Sequence, residues 1–462
     1  MNAANGATPA GSSAIADLDW RGAAEPAGDL VIRRAHALDP ASGLDGICDL
    51  VIRDGRIAEI AEGGGAGAPE GAEEIDAAGL HAFPAFFDPH VHLRSPGQEH
   101  KEDVETGTRA AAAGGFCGIV AMANTDPVVD DPAHVLALRE RAASDASVPT
   151  GFVATVTRGM RGEELTEMAA IREAGAVGFS DDGLPITSAR MMRRALQYQH
   201  LVGGTILLHE EDPDLSGDGV MHEGPVSAAL GLSGVPAVSE SVMIARDAAL
   251  CLYEDARAHA QHLSARVSVE AMEASKASGA KLTCEVTPHH LVLTDEEVRS
   301  LDARFKMNPP LRTEDDRQAL IEGLRSGTID CIGTDHAPHA IDEKDVPFEV
   351  AMMGVTGLET AFAVLYTELV QPGILDLSLI VDRMGAGARI FDLDQPRIAR
   401  DAAANVALVD LDHEWEGGAD GWESRSENSC FHGRRLQSRP MITLVGGRVA
   451  YRRRSFAMKV AG

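Results

Sequence analysis

Aromatic and basic residues are both scarce in this sequence of 462 residues. Aromatic side chains make up only 4% of it, too few for the stacking surface on which proteins bind single-stranded nucleic acids. Lysine and arginine number 41 against 71 aspartates and glutamates, which gives a net charge of −30. A charge of that sign repels nucleic-acid phosphates and anionic lipids, so we expect neither as a partner. An anionic small molecule would need a local cluster of positive charge.

Long hydrophobic runs and paired cysteines are also missing. No apolar stretch reaches the roughly 20 residues that a membrane-spanning helix needs. The first residues lack the basic region and the hydrophobic segment of a signal peptide. The six cysteines show no CxxC spacing, which argues against a cysteine-based zinc site and fits free thiols in a reducing cytosol. We therefore expect a cytoplasmic protein.

The remaining composition is typical of a large globular protein, with 44% hydrophobic and 24% charged residues. Residues 1–27 are rich in alanine, glycine, serine and proline without periodicity, which predicts a mobile tail. Short β-type runs separated by turn residues occupy residues 28–82 and return in 392–460. Neither segment is long enough for a core of its own. Together they predict one small β-sandwich built from both ends of the chain.

Residues 83–391 alternate strand-like and helix-like patterns. The strand-like runs lie near residues 82–92, 115–124, 151–157, 176–180, 205–209, 257–262, 281–286 and 328–333. Several helix-like stretches between them end in the glycine expected just past a helix C-terminus. Eight such repeats predict a (β/α)8 barrel, in which catalytic side chains project from the carboxyl ends of the strands. A doubly wound open sheet is the alternative, but no GxGxxG follows a first strand.

Candidate metal ligands stand where these strands end. In FDPHVHLR the side chains of His90, His92 and Arg94 share one face, because side chains alternate along a strand. Two imidazoles at that spacing can bind one metal ion. Further candidates at later strand ends are Asp181, Asp182, His209, His262 and Asp335. Each alone could be a hydrogen-bonded rim residue, but four histidines and two aspartates together could hold two cations such as zinc.

The ordered motifs of the sequence resemble those of the amidohydrolase superfamily, and in particular those of class I, bacterial-type dihydroorotases. The segments that carry the resemblance are HVHLRSPGQEHKED, GTRAAAAGGFCGIVAMANTDP, GFSDDG, HEED, GVMHEG, EVTPHHLVLTDEE, KMNPPLR and GTIDCIGTDHAPHAIDEK. They extend from about Phe83 to Tyr366. The resemblance implies a metal-dependent enzyme that reversibly cyclises N-carbamoyl-L-aspartate to L-dihydroorotate in de novo pyrimidine biosynthesis.

The resemblance also implies a set of metal ligands and two divalent ions, with zinc expected. One ion would be held by His90, His92 and Asp335, and the other by His209 and His262. Asp182 would bridge the two ions, while Asp181 would be structural. Hydantoinases, allantoinases and animal-type dihydroorotases use a carboxylated lysine as the bridge, and AVGFSDDG contains no lysine. Asp335 would act as the catalytic base and then as the acid.

Four substrate contacts are implied in the same way, namely Arg94, Asn124, Asn308 and His339. A guanidinium such as that of Arg94 can bind the carboxylate of dihydroorotate with two parallel hydrogen bonds. Without the family, Asn124 would be read as a turn residue and Asn308 as a residue before two prolines. The chain departs from the family at Met352-Met353-Gly354, where Pro-Phe-Gly is usual.

Two other functions remain open at this point. One is hydrolysis of a related cyclic ureide, as in hydantoinases and allantoinases, although neutral rings do not require the carboxylate clamp of Arg94. The other is a catalytically silent scaffold for aspartate transcarbamoylase, although such proteins typically lose metal ligands and all six are present. The resemblance suggests a homodimer or an association with aspartate transcarbamoylase.

Overall fold

The computed structural model describes residues 14–24, 26–454 and 456. Within these ranges the chain forms eighteen β-strands and thirteen α-helices. The strands are β1 Leu30–Asp39, β2 Leu44–Arg53, β3 Arg56–Glu62, β4 Glu73–Asp76, β5 His81–Pro84, β6 Phe86–Val91, β7 Phe116–Ala121, β8 Thr150–Ala154, β9 Gly178–Ser180, β10 Thr205–Leu208, β11 Met221–His222, β12 Gly234–Val235, β13 Arg257–Ala260, β14 Lys281–Val286, β15 Cys331–Ile332, β16 Val406–Glu416, β17 Arg435–Val445 and β18 Arg448–Arg452.

The α-helices are α1 Val104–Ala113, α2 Pro132–Asp145, α3 Met168–Glu173, α4 Ala189–Val202, α5 Pro213–Ser216, α6 Pro225–Leu230, α7 Val238–Glu254, α8 Arg266–Ala277, α9 Pro288–Val292, α10 Glu314–Ser326, α11 Ile341–Lys344, α12 Ala361–Leu365 and α13 Leu377–Gly385. Shorter 3-10 helices lie at Ile15–Asp17, Arg21–Ala24, Arg158–Met160, Asp295–Ser300, Ala303–Phe305 and Ala386–Phe391, and a π-helical turn at Tyr366–Val370.

Eight parallel strands form a barrel in the middle of the chain, in the order β6, β7, β8, β9, β10, β13, β14 and β15. A parallel bridge between Val91 and His336 joins the first strand to the segment after the last. The predicted (β/α)8 barrel is therefore confirmed. The observed strands end one or two residues before several predicted site residues, because those residues leave the ladder to enter the barrel mouth.

Helix ends follow the signals in the sequence. The side chain of Asp103 accepts a hydrogen bond from Thr106 N (2.8 Å) and caps α1. The glycines predicted to end α4 and α10, Gly203 and Gly327, have φ of 70° and 86°. Residues with a Cβ rarely adopt such backbone angles, so glycine is favoured at the C-terminal ends of both helices. The reversals return the chain to the next barrel strand.

The two ends of the chain meet in one eight-stranded, mainly antiparallel sheet, in the order β18, β17, β16, β5, β1, β2, β3, with β4 paired to β1. Strand β5 joins the halves, since it pairs with both β1 and β16. A core separate from that of the barrel includes Ile32, Leu50, Leu408 and Ile442. The predicted β unit built from both ends is therefore confirmed. Because β5 runs almost directly into β6, this sheet is tied to the barrel strand that contains His90 and ends just before His92.

The predicted N-terminal tail is only partly within the structure, since residues 1–13 lie outside the described residues. From residue 14 onward the chain packs against the barrel. Ile15 and Trp20 are 2% and 3% exposed and belong to the barrel core. Arg139 Nε donates to Asp19 Oδ2 over 2.6 Å. The prediction of a mobile tail is wrong for residues 14–24, because composition does not reveal two isolated apolar side chains that a distant surface buries.

The structure adds to two of the absences noted in the sequence. Within the described part of the chain, no helix has both the length and the apolar character needed to cross a bilayer. All six cysteines lie in this part, and each is a buried free thiol. Burial raises the pKa of the Cys48 thiol to about 11, so this thiol stays uncharged at neutral pH.

Replacing Trp20 by alanine tests whether the N-terminal segment is part of the barrel core. We expect Trp20→Ala to lower the free energy of unfolding by about 3–5 kcal/mol, the usual cost of truncating a buried tryptophan. Leu201→Ala, at a position that is 83% exposed, should change it by less than about 0.5 kcal/mol. Urea denaturation followed by circular dichroism measures both. Equal midpoints for the two variants would contradict the packing.

Candidate active site

A cavity of about 470 Å³ lies at the carboxyl ends of the barrel strands. Of the ten residues to which the family resemblance assigns a ligand or substrate role, nine line it, namely His92, Arg94, Asn124, Asp182, His209, His262, Asn308, Asp335 and His339. The tenth, His90, is fully buried beside it. The barrel therefore gathers side chains that are up to 249 positions apart, from His90 to His339, at one mouth.

One cluster of candidate ligands joins the first and last barrel strands. His92 Nε2 lies 3.0 Å from Asp335 Oδ1, and His90 Nε2 lies 3.5 Å from the same oxygen. The donor atoms of these three residues are all within 4.8 Å of one another, a spacing that suits a shared metal ion. All three side chains are buried.

A second cluster surrounds Asp182 at the end of β9. Asp182 Oδ1 lies 3.5 Å from His209 Nδ1 and 3.8 Å from His262 Nε2. Its second oxygen, Oδ2, is 3.4 Å from His92 Nε2 of the first cluster. His209 Nδ1 and His262 Nε2 are themselves only 2.9 Å apart. Asp182 thus stands between the two clusters and faces both.

Two buried polar atoms in this arrangement test whether a metal ion fits. His90 Nε2 and Asp182 Oδ1 are 3.8 Å apart, and neither has a hydrogen-bond partner among the residues that the structure describes. Buried polar atoms without a partner are costly, and a cation between them would compensate both. Imidazole nitrogens with carboxylate oxygens are also the donor set that zinc and similar ions accept. The residues therefore fit divalent cations.

Adjacent aspartates at the end of β9 have different surroundings. Asp181 Oδ1 accepts hydrogen bonds from the backbone N–H groups of Val156 (2.7 Å) and Thr157 (3.1 Å), and the Thr157 hydroxyl donates to Oδ2. Its carboxylate is therefore used in joining the ends of β8 and β9. Asp182 instead turns its carboxylate to the imidazoles and the cavity.

Three of the imidazoles are oriented by an oxygen on the side away from the clusters. His90 Nδ1 lies 2.7 Å from Glu285 Oε1, His92 Nδ1 lies 2.8 Å from Asn124 Oδ1, and His209 Nε2 lies 3.1 Å from Glu211 Oε2. Such partners fix the ring and leave the other nitrogen free for a metal. Glu285 and Glu211 are not among the residues predicted from the sequence, although a glutamate inside the apolar strand KLTCEV is a usable signal.

Both aspartates of the clusters are held in their ionised form. Burial alone would raise the pKa of Asp182, but the surrounding imidazoles hold it well below the usual value. Burial likewise opposes ionisation of Asp335, and His90 and His92 outweigh it, so this pKa is also lowered. Burial would lower the pKa of His209, but the carboxylates of Asp182 and Glu211 outweigh it and raise this pKa to about 10. Anionic carboxylates are the form that binds cations.

Backbone geometry at the site is unusual in three of the predicted residues. Arg94, His262 and Asp335 have φ of 56°, 32° and 47°, in the left-handed region that residues with a Cβ rarely adopt. Each is at or just past the end of a barrel strand, where the chain must turn its side chain into the mouth. Strain of this kind is tolerated where the surrounding contacts over-determine the conformation.

Arg94 and His339 form the wall of the cavity next to the first cluster. Arg94 Nε donates to Pro338 O over 3.0 Å, and one terminal nitrogen lies 3.4 Å from His339 Nε2. His339 Nε2 also contacts Met353 O at 2.9 Å, and its Nδ1 contacts Glu343. Arg94 is 8% exposed and lines the cavity together with the acidic side chains of Asp182 and Asp335.

The two asparagines already have partners in the site. Asn124 accepts from His92 and its Nδ2 lies 3.2 Å from Asp182 Oδ2. Asn308 Nδ2 donates to Glu211 over 2.6 Å and lies 3.3 Å from His209 Nε2. Both asparagines therefore orient candidate ligands as well as lining the cavity.

The loop Met352-Met353-Gly354 lines the cavity and is held through its backbone. Lys344 Nζ donates to the carbonyl oxygens of Met352 (2.8 Å), Gly354 (2.9 Å) and Lys306 (3.1 Å). Asn428, from the segment between β16 and β17, donates to Gly354 O over 3.1 Å. Because these bonds use carbonyl groups, the loop is positioned independently of its side chains, in which the chain departs from the family.

Comparison with known proteins places these features in a family. A family model named Dihydro-orotase-like matches residues 81–270. A protein named dihydroorotase from Geobacter sp. (strain M21) is 45% identical over 424 residues, which cover 92% of this chain and 99% of that protein. Another from Anaeromyxobacter dehalogenans (strain 2CP-C) is 45% identical over 425 residues, covering 91% and 98%.

Solved structures share the fold at lower identity. An L-hydantoinase (dihydropyrimidinase) from Arthrobacter aurescens has a TM-score of 0.81 at 24% identity, over 92% of this chain and 96% of that one. A D-hydantoinase (dihydropyrimidinase) from Thermus sp. has a TM-score of 0.76 at 25% identity, over 92% and 95%. At this level the likeness shows a common fold, whereas the relatives that are 45% identical show kinship along nearly the whole chain. The chain belongs to the dihydroorotase family.

Proposed function

We propose that this protein is a metal-dependent dihydroorotase, which cyclises N-carbamoyl-L-aspartate to L-dihydroorotate in de novo pyrimidine biosynthesis and catalyses the reverse hydrolysis. The observation that carries the proposal is one cavity of about 470 Å³ lined by imidazoles, two ionised carboxylates and a guanidinium. The volume is in the range of small-molecule sites. Relatives that are 45% identical bear the name of this enzyme.

The proposal includes two divalent ions, with zinc preferred. His90, His92 and Asp335 would hold one ion, His209 and His262 would hold the other, and Asp182 would bridge them. When bound, such ions lower the pKa of a water molecule and polarise the carbonyl group of the substrate. Among the described residues, neither His90 Nε2 nor Asp182 Oδ1 has a hydrogen-bond partner, which supports this assignment.

Asp335 is the proposed catalytic base and acid. Its carboxylate is ionised, borders the cavity and lies 3.0 Å from His92 Nε2. In hydrolysis, water attacks the ring carbonyl, Asp335 takes a proton from that water, and the same proton passes to the departing ring nitrogen. In cyclisation the steps run in reverse. The left-handed backbone of Asp335 (φ 47°) aims the carboxylate at the cavity.

Arg94 is the proposed receptor for the substrate carboxylate. The positive charge of two divalent ions would be balanced by four nearby carboxylates, those of Asp182, Asp335, Glu285 and Glu211. Arg94 is then the group that makes the cavity favourable to an anion. Its buried guanidinium can form two parallel hydrogen bonds with a carboxylate, and it does so with little competition from water. Neutral hydantoins would not use this interaction, which favours dihydroorotate as the substrate.

Quaternary structure and location are proposed from the family resemblance alone. We propose a cytoplasmic homodimer, with aspartate transcarbamoylase as a candidate partner. The silent scaffold considered above is disfavoured, because all six candidate ligands converge on one cavity.

Removing the charge of one aspartate tests which residues bind the metal ions. We expect Asp182→Asn to lose at least one of two zinc ions and to reduce turnover by at least about 10³-fold, since loss of a metal ion removes several kcal/mol of transition-state stabilisation. The neighbouring Asp181→Asn should keep its zinc, because Asp181 binds backbone N–H groups. Metal analysis and a dihydroorotate assay on both proteins decide the matter. The opposite ranking would show that Asp181 is the bridge.

The role of Arg94 can be separated from the general integrity of the site. We expect Arg94→Lys to weaken transition-state binding of dihydroorotate by about 2–5 kcal/mol, because one ammonium cannot replace the two parallel hydrogen bonds. Values of kcat/KM for dihydroorotate, hydantoin and allantoin provide the measurement, with zinc content as the control. A wild-type protein that prefers hydantoin, or an unaffected Arg94→Lys variant, would contradict dihydroorotate as the substrate.

The pH dependence of the equilibrium checks the identity of the reaction. N-carbamoyl-L-aspartate is a dianion and dihydroorotate a monoanion, so ring closure takes up one proton. The equilibrium ratio of ring to open form should therefore fall by about tenfold per unit of pH between about pH 6 and pH 8. Chromatography of mixtures equilibrated from both directions measures this ratio. An equilibrium that does not depend on pH would exclude this interconversion.

A further inference from the structure

We infer that Glu285 is a positioning residue shared by both proposed metal sites, at the centre of a buried hydrogen-bond chain that includes His259 and Thr283. The inference rests on the proposed function for the ligand roles of His90 and His262. It assigns a task to three residues inside the barrel that the proposed reaction itself does not use. Glu285 lies near the end of β14, and its side chain is fully buried.

The chain of contacts runs inward from the cavity. Glu285 Oε1 lies 2.7 Å from His90 Nδ1, and Oε2 lies 3.2 Å from His259 Nε2. His259 Nδ1 in turn lies 2.8 Å from the Thr283 hydroxyl. His90 and His259 are both 0% exposed, as is Glu285 itself. Water therefore does not compete for these hydrogen bonds.

The direction of each hydrogen bond follows from the chemistry of its partners. An ionised carboxylate can only accept, so His90 donates through Nδ1–H and His259 through Nε2–H. His259 Nδ1 then accepts from the Thr283 hydroxyl. This assignment leaves the lone pair of His90 Nε2 facing Asp182 and Asp335. Of the two ring nitrogens of His90, Nε2 has no hydrogen-bond partner among the described residues and is therefore available to a metal ion.

Glu285 also contacts the second proposed site through its backbone and side chain. Leu263 N donates to Glu285 O over 2.9 Å, and His262 N lies 3.4 Å from Glu285 Oε1. His262 has a left-handed φ of 32°, which needs support from its surroundings. Glu285 therefore fixes the ring of His90 and the backbone at His262 together. It joins the two proposed ion sites from inside the barrel, while Asp182 joins them at the mouth.

The neighbouring strand leaves room for this carboxylate. A Cβ at Gly333, just after β15, would lie 2.7 Å from Glu285 Oε2 and 2.9 Å from its Cδ. Only glycine permits the observed position of Glu285. The close approach of His259, Glu285 and Cys331, within 4.8 Å, could also suit a third metal ion. The hydrogen-bond chain accounts for that proximity, since it uses both oxygens of Glu285 and both nitrogens of His259.

Carboxylates behind metal-bound histidines fix the ring and make it a stronger ligand, and their loss typically costs about 10- to 100-fold in metal affinity. We therefore expect Glu285→Gln, which keeps the shape but removes the charge, to weaken zinc binding by about that factor. Competition with a chromophoric chelator measures the zinc dissociation constant of the purified full chain. The thermal midpoint of the metal-free protein, by circular dichroism, should stay close to that of the wild type.

Glu102→Gln is the matched control. Glu102 is also 0% exposed, and it lies 3.3 Å from a histidine, His336, that is not among the proposed ligands. Its replacement should leave the zinc dissociation constant unchanged. Thr283→Val removes the hydroxyl group at the far end of the hydrogen-bond chain with little change in side-chain size. It should weaken zinc binding less than Glu285→Gln does. This milder variant serves if Glu285→Gln does not fold.

The outcomes separate this inference from the proposed function. If the wild type binds two zinc ions and neither Glu285→Gln nor Thr283→Val changes the affinity, Glu285 does not position the ligands. Equal weakening by Glu102→Gln would also overturn the inference, because the effect would then be general. If the wild type binds a third zinc ion and Cys331→Ser loses it, then His259, Glu285 and Cys331 form a metal site and not a hydrogen-bond chain. A wild type that binds no zinc would instead contradict the proposed function.

Discussion

Two anionic carboxylates buried among imidazoles, those of Asp182 and Asp335, set the constraint that the rest of this structure satisfies. A buried charge without compensation is costly, and four histidines from three barrel strands surround these two. The left-handed backbone of His262 and Asp335 is part of the same arrangement, since a regular strand end would aim both side chains elsewhere. In the proposed function, two cations complete the compensation and supply the reactive centre.

The surroundings of the site hold its parts by backbone groups and buried polar side chains. Glu285, Asn124 and Glu211 orient three imidazoles, while Lys344 and Asn428 hold the Met352-Met353-Gly354 loop that lines the cavity. Asn428 comes from the segment between β16 and β17, so the β unit built from both chain ends contributes to the barrel mouth. The two parts of the chain are therefore one structural unit at the site.

The fold and the reaction are supported by different observations. Solved structures named as hydantoinases share this fold at 22–25% identity, so the fold by itself does not specify the reaction. In the proposal, the choice of an anionic ring depends on Arg94, a single guanidinium in a molecule with a net charge of −30. Because Arg94 is buried beside His339, its charge attracts an anion in the cavity more strongly than an exposed charge would, despite the negative charge of the whole molecule.

The sequence by itself determined the barrel, the β unit from both ends, and the strand ends at which His90, His92, Asp182, His209, His262 and Asp335 stand. These features follow from local hydrophobic patterning and from ordered motifs, which a linear sequence displays directly. The family resemblance had already separated Asp182 from Asp181, and the contacts of the two carboxylates agree with that choice. Only the tertiary structure decided that Ile15 and Trp20 are core residues. It alone brought Glu285 under His90, across 195 positions of the chain. Such contacts depend on register and backbone angles between distant segments, and no local pattern encodes them.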